Sequence, residues 1–454
     1  MFQSINPTTE QVIADYPVHN ATEVDALLEK AHKAQAGWAE EPIEKRVQLL
    51  HRAATILRER EEQYGALITE EMGKPISEAR AEVLKCAKTL DYYAEHAAGI
   101  LKSELIASDA TESGIVYDPL GVVLAIMPWN YPFWQFFRFA APALAAGNAT
   151  VLKHANNVPG SAKAVQSIFV DAGAPEGLTT TLFVQSKDVK GIIEDPRIAA
   201  VTFTGSTQVG SIIAAQAGAV IKPQVLELGG SDPFIVLADA NVRDAAKAAV
   251  KARFTNVGQS CVNAKRFVVV DEIADEFVAA FVEETKKLMI GDPHDPATNI
   301  GPMARENLRA ELHDQVERSI ASGATLLLGG QPLQRPGYFY PPTILDNVEK
   351  GHAAFDEETF GPVAAIIRVR DAHHAIEVAN DTEFGLAAAL WTGSIDKAKQ
   401  LLHKIEAGAV FVNSVVASDP RLPFGGIKSS GYGRELGSHG MREFLNIKTF
   451  SIGA

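Results

Sequence analysis

The chain has 454 residues, 46% of them hydrophobic and 22% charged, and a formal net charge of −14. That length fits two or three domains with large cores. The acidic excess argues against a nucleic-acid or anionic-membrane surface, which needs a basic one, but leaves room for a local basic pocket.

Two cysteines, Cys86 and Cys261, are few for a disulfide-built secreted protein and point to a reducing compartment. The start, Met1-Phe2-Gln3-Ser4-Ile5-Asn6-Pro7, lacks the basic and apolar parts of a signal peptide. The most apolar stretch, 133–146, is broken by Gln135, Arg138 and Pro142 and is too short to span a bilayer. A cytoplasmic protein is expected.

Residues 21–105 read as helices. Ile43, Val47, Leu50, Ala54 and Leu57 recur at helical spacing, and Thr22 is a candidate cap for the first of them. From about 120 the pattern changes to short β-rich runs at 122–127, 150–152, 181–184, 200–204 and 225–228. Helical candidates at 161–172 and 209–217 lie between some of them. Such alternation predicts βαβ units and a mostly parallel sheet. A second series follows, with strands at 234–237, 267–270, 364–368 and 410–413 and helices at 240–256, 274–289 and 304–322. The boundary near 229 carries no linker. Segment 101–119, polar and β-compatible, and the tail after about 440 are expected to form an extension that pairs with another subunit.

Several segments carry candidate chemistry. In Met127-Pro128-Trp129-Asn130-Tyr131-Pro132-Phe133 two prolines stiffen a turn around Asn130. Its amide suits a developing oxyanion or a plain turn. Lys153, in Lys153-His154-Ala155-Asn156, follows a strand and suits a ribose or phosphate; a solvated lysine is the commoner use. Strand 200–204 runs into Gly205-Ser206-Thr207-Gln208-Val209-Gly210 and a helix, the layout of a dinucleotide site, although the usual Gly-x-Gly-x-x-Gly spacing is absent.

Glu227 ends an apolar strand before Gly229-Gly230. There it fits a general base of raised pKa or a solvated strand-end residue. Asn256-Val257-Gly258-Gln259-Ser260-Cys261 brings small residues up to a thiol able to attack a carbonyl. Read alone, a buried packing cysteine is the commoner use, and Cys86, inside a helical pattern, is assigned that inert role. Glu358 and Phe360 offer a carboxylate for ribose hydroxyls and an aromatic face for a nicotinamide ring, or surface and core filling. The histidines show no metal-ligand spacing, so no metal is expected.

Together and in this order, these segments resemble the aldehyde dehydrogenase superfamily. The resemblance rests on Ile5-Asn6-Pro7, Pro128-Trp129-Asn130-Tyr131-Pro132, Phe203-Thr204-Gly205-Ser206, Leu226-Glu227-Leu228-Gly229-Gly230, Gly258-Gln259-Ser260-Cys261, Glu358-Thr359-Phe360-Gly361-Pro362 and Pro423-Phe424-Gly425-Gly426-Ile427-Lys428-Ser429-Ser430-Gly431. It implies an α/β fold with two Rossmann-like parallel-sheet domains and a β-flap for oligomerisation. The expected division is 1–100 with 120–229 for the cofactor, 230–437 for catalysis, and 101–119 with 438–454 for assembly into a homodimer or homotetramer.

The implied catalytic residues are Cys261 as nucleophile, Asn130 and the Cys261 N–H as oxyanion hole, and Glu227 as activator of the hydrolytic water. The implied cofactor residues are Lys153, Asn156, Trp129, Gly205, Ser206, Glu358 and Phe360. The chain is most similar to the succinate-semialdehyde dehydrogenase branch, which implies a small aldehyde carrying a carboxylate. Arg138 and Ser418 would hold that carboxylate and Trp134 would shape the tunnel.

Two departures qualify this. Thr255 stands where some members have a second arginine, with Arg253 eight residues before the nucleophile, which leaves glutarate semialdehyde or a simple aldehyde as alternative substrates. Asn156 stands where many members carry a glutamate that would repel a 2′-phosphate, which favours NADP with NAD also usable. Rival readings are a coenzyme-A-acylating enzyme, which would lack Glu227, a Cys–Glu–Lys hydrolase, which would leave Gly205 and Glu358 unexplained, and a non-catalytic protein, which would be expected to have lost one of Cys261, Glu227 or Asn130.

Overall fold

A computed structural model describes residues 1–453. Four helices, Ala21–Ala39, Ile43–Glu59, Glu61–Met72 and Ile76–Ile100, fill the region read as helical. In Ile43–Glu59 the stripe Leu49, Leu50, Ala53, Ala54 and Leu57 is buried, as residues three and four apart must be when one face meets a core. Asn20, not Thr22, caps the first helix. Its side chain accepts from the Glu23 N–H at 3.0 Å, and the Glu23 carboxylate accepts from the Asn20 N–H at 2.7 Å. This reciprocal pair satisfies two amides that a helix start leaves open; Thr22 already lies inside the helix. A hairpin of Phe2–Ile5 and Val12–Tyr16, which the sequence reading did not anticipate, precedes them.

The first sheet has the strand order Gly431–Tyr432, Gln224–Glu227, Ile198–Thr204, Val122–Met127, Ala149–His154, Thr179–Thr181. All its pairings are parallel except that of Gly431–Tyr432. Val122–Met127 and Ala149–His154 are buried throughout, as strands covered on both faces are. The strand expected at 181–184 lies earlier. It pairs with Thr150, Val151 and Leu152 as an edge, and after one more bond, Leu182 N–H to Leu152 O at 2.8 Å, the chain leaves the ladder.

The second sheet orders Thr325–Leu328, Thr343–Asp346, Val363–Val369, Ala264–Val270, Asp232–Val236, Ala387–Trp391 and Ala409–Val412, with only the Thr325–Leu328 pairing antiparallel. Just four residues, 228–231, join the two sheets. A third, antiparallel sheet unites Leu445–Ile452 with Glu112–Pro119 and Glu104–Leu105, bringing together the two segments expected to form the extension. Gly431–Tyr432, expected in the second domain, completes the first sheet instead.

In parallel sheets the carboxyl ends of the strands form the ligand-binding edge. Asn130, Lys153, Gly205 and Glu227 all stand at that edge of the first sheet, at or just beyond the ends of four of its strands.

Candidate active site

The approach to Cys261 is conformationally unusual. Asn256 and Val257 both have φ of 56°, and Gly258 follows at 70°. Left-handed backbone is costly for a β-branched residue, so neighbouring contacts must hold it. The Glu78 carboxylate accepts from the Asn256 N–H at 2.7 Å. The Asn256 amide donates to the carbonyls of Asn130 (2.9 Å) and Gln259 (3.0 Å). Gly258 tolerates no side chain, since a Cβ would lie 2.3 Å from the Gly361 oxygen. The turn presents Cys261 half-buried, with burial pushing its thiol up to about 11 against the pull of Arg138 and Lys265.

The Asn130 side chain donates to the Gln259 carbonyl at 3.1 Å and shares one cavity lining with Cys261. An amide nitrogen carries two hydrogens, so one remains for a ligand. Glu227 is almost wholly buried, and neither of its carboxylate oxygens has a hydrogen-bond partner. Desolvation, reinforced by Glu435, raises its pKa well above the usual carboxylate range. Its backbone carbonyl accepts from the Gly205 N–H at 3.0 Å, which ties the Glu227 strand to the Gly205 turn.

Three cavities surround the site, and Cys261 borders two of them. The largest, about 970 Å³, runs past Lys153, Asn156, Gly205 and Ser206. A second, about 310 Å³, shares Pro128, Thr204, Gly205, Ser206 and Arg305 with it and continues past Trp129, Glu358 and Phe360 to Cys261. The lining of the large cleft includes Lys153, Lys187 and Arg305 and no carboxylate, in a chain of net charge −14.

Lys153 donates to Asn156 Oδ1 at 3.0 Å, and burial lowers its amine to about 8. Ser206 caps helix Thr207–Ala219, whose start opens on the same cleft. Trp129 and Phe360 meet edge to face at 5.8 Å. A cationic, acid-free cleft with a helix start at its floor fits a dinucleotide, and nothing in its lining would repel a further phosphate.

On the far side of Cys261 lies a third cavity of about 450 Å³, lined by Tyr131, Trp134, Gln135, Arg138 and Ser418 among others. Its charged lining residues are Lys85, Arg138 and Lys251, all cations. Arg138 and Ser418, both expected to hold the substrate carboxylate, line this one cavity, and each is engaged by another side chain. Arg138 is buried against Glu435 and donates to Thr204 Oγ1 at 3.2 Å, so its charge is already met. Ser418 Oγ instead accepts from Lys85 Nζ at 2.7 Å, and Lys85 stands 4.0 Å over the Trp134 ring. Burial, then Arg138, lowers the Lys85 amine to about 8. Arg253 faces away from the cavity and clasps the backbone carbonyls of Ala264, Thr359 and Gly361.

Sequence reasoning missed Lys85, Lys187, Arg305, Glu435 and Lys265. Lys85 neighbours Cys86 on helix Ile76–Ile100, far in sequence from every motif, and no local pattern marks it.

The sequence matches the aldehyde dehydrogenase family model over residues 1–450. It is 49% identical to a succinate semialdehyde dehydrogenase [NAD(P)+] of Escherichia coli strain K12, covering 98% of this chain and 96% of that one. It is 48% identical to a succinate-semialdehyde dehydrogenase [NADP(+)] of Mycobacterium avium, covering 99% and 96%. Among solved structures, succinic semialdehyde dehydrogenase from Streptococcus pyogenes in complex with NADP+ superposes with a TM-score of 0.98 at 38% identity over the whole of both chains.

Proposed function

The chain belongs to the aldehyde dehydrogenase family, and from that premise we propose that it oxidises succinate semialdehyde to succinate with NADP as the preferred acceptor and NAD as a usable one. Lys153, Asn156, Gly205, Ser206, Trp129, Glu358 and Phe360 would hold the dinucleotide, which when bound takes up the hydride that leaves the aldehyde carbon. Cys261, as thiolate, adds to that carbon. The free amide hydrogen of Asn130 and the Cys261 N–H meet the negative oxygen that results, a task for donors fixed in advance. Loss of hydride leaves a thioester on Cys261. Glu227 takes a proton from water as that water attacks the thioester carbonyl, and the thiolate departs with the acid formed. An unpartnered carboxylate of raised pKa is a proton acceptor matched to that step.

The observation that carries the substrate is the third cavity. It reaches Cys261, the charged residues of its lining are all cations, and Lys85 is presented on Ser418. We therefore assign the substrate carboxylate to Lys85 and Ser418, while Arg138, already paired with Glu435, shapes the same cavity. The test compares succinate semialdehyde with butanal in wild type and Lys85→Met. Loss of one charge-assisted hydrogen bond is expected to raise KM for the semialdehyde roughly tenfold to a hundredfold and leave butanal unchanged. Equal losses for both aldehydes would remove Lys85 from substrate recognition. The ammonium loses its charge as pH rises through about 8, so the semialdehyde KM of wild type should climb there while that of butanal stays flat.

The division into cofactor, catalytic and assembly segments, with homodimer or homotetramer formation, is part of the same proposal. Its support is the third sheet, whose residues Leu105, Ile447 and Ile452 are exposed and apolar. No described helix is long and apolar enough to cross a membrane, and a cytoplasmic location is proposed.

A further inference from the structure

Lys265 follows the nucleophile by four residues, at the second position of strand Ala264–Val270. Its side chain is wholly buried. The ammonium donates to the Ser260 carbonyl at 3.1 Å and the Cys261 carbonyl at 2.8 Å, and forms an ion pair with Glu358 Oε1 at 3.3 Å. Burying a cation is costly unless it is paired; Glu358 forms the ion pair with this one, and the buried Asp232 carboxylate also feels its charge.

Glu358 is the wet end of the arrangement, with a side chain about one-fifth exposed in the cavity that runs from the cleft to Cys261. Its Oε1 also accepts from the Gly230 N–H at 3.1 Å. The two glycines after Glu227 make room for this packing. A Cβ on Gly229 would lie 2.6 Å from Glu358 Oε2, and one on Gly230 would lie 2.9 Å from the Cys261 carbonyl oxygen.

We propose that Lys265 is a positioning residue that couples Glu358 to the nucleophile turn, so that a change in what Glu358 binds is felt at Cys261. The proposal rests on reading Glu358 as part of the cofactor pocket. The ammonium fixes the carbonyls on either side of the Cys261 N–H, and with them the direction of that donor. It also contributes positive charge beside the thiol, offset by however much negative charge Glu358 keeps. A group that draws the Glu358 carboxylate away leaves Lys265 less compensated and the thiolate better stabilised. The groups whose charge reaches the thiol are Arg138 and Lys265, which favour the thiolate, and Glu227 and Glu358, which oppose it, with the Tyr131 phenol also close.

The test is the pH profile of Cys261 alkylation by iodoacetamide in the full-length protein without dinucleotide, a readout independent of turnover. Lys265→Met should raise the midpoint by about one unit, slowing alkylation about tenfold below it, and Glu358→Gln should lower the midpoint by a similar amount. The double variant should return close to wild type. Lys265→Gln keeps a donor for the carbonyl without the charge and should behave as Lys265→Met does. A midpoint that stays put in both single variants, moves the same way in both, or is restored by glutamine overturns the coupling. If Lys265→Met fails to fold, as thermal unfolding by circular dichroism would report, Glu358→Gln alone decides, and an unmoved midpoint overturns the proposal. The functional reading fails separately, by wild type reducing no NADP or NAD with any aldehyde.

Discussion

The two cysteines lie in regions that differ in almost every physical respect. Cys86 sits inside helix Ile76–Ile100, fully buried, in relaxed helical backbone. Cys261 lies three residues after a run of three positive-φ residues, is half-buried, and borders two cavities. Burial raises the Cys86 thiol well above its ordinary value, whereas Cys261, with Arg138 and Lys265 nearby, reaches about 11. Cys86 also has cations near it, Lys74 and Lys85, but it borders none of the three cavities. Access and held donors, more than charge, therefore separate Cys261, the proposed nucleophile, from Cys86.

The comparison can be broken at either end. The largest effect should come from Cys261→Ala. Aldehyde-dependent NADP reduction is expected to fall by at least about 10⁴-fold, since no other thiol borders the cavities. Turnover surviving in that variant would mean that another group carries the reaction. Asn130→Ala tests whether the turn supplies more than the sulfur. Loss of one oxyanion donor is expected to cost about 10²- to 10³-fold in kcat with little change in KM, measured by steady-state kinetics. A rise confined to KM would recast Asn130 as a binding group. The smallest effect should come from Cys86→Ala, with kcat/KM unchanged and stability lower by about 1 kcal/mol in chemical denaturation, the cost of a small cavity.

The fold was readable where periodicity was strong. Strand 122–127 and the helices after residue 21 follow from alternation and 3.6-residue spacing alone. Ala387–Trp391 was not marked, because a run of alanines carries no strand propensity and is fixed as a strand by its neighbours Asp232–Val236 and Ala409–Val412. The site was legible as a set of motifs, and the structure draws Cys261, Asn130, Trp129, Gly205, Ser206, Glu358 and Phe360 to one cavity. Its charge pattern was not legible. That Arg138 is matched by Glu435, and that Lys85 is the cation on Ser418, depends on contacts 297 and 333 residues apart in sequence, which no local spacing encodes.

The Arg138–Glu435 pair has a consequence for the order of assembly. Arg138 belongs to the helix beside the first sheet, yet its counter-ion, and the strand Gly431–Tyr432 that completes that sheet against Gln224–Glu227, arrive some three hundred residues later in synthesis. A buried guanidinium without its partner destabilises a core by about 3–5 kcal/mol. A growing chain that has emerged only through about its first four hundred residues therefore cannot close this sheet natively around Glu227. A truncation before Glu435 should therefore yield a protein held by chaperones rather than a weakened enzyme.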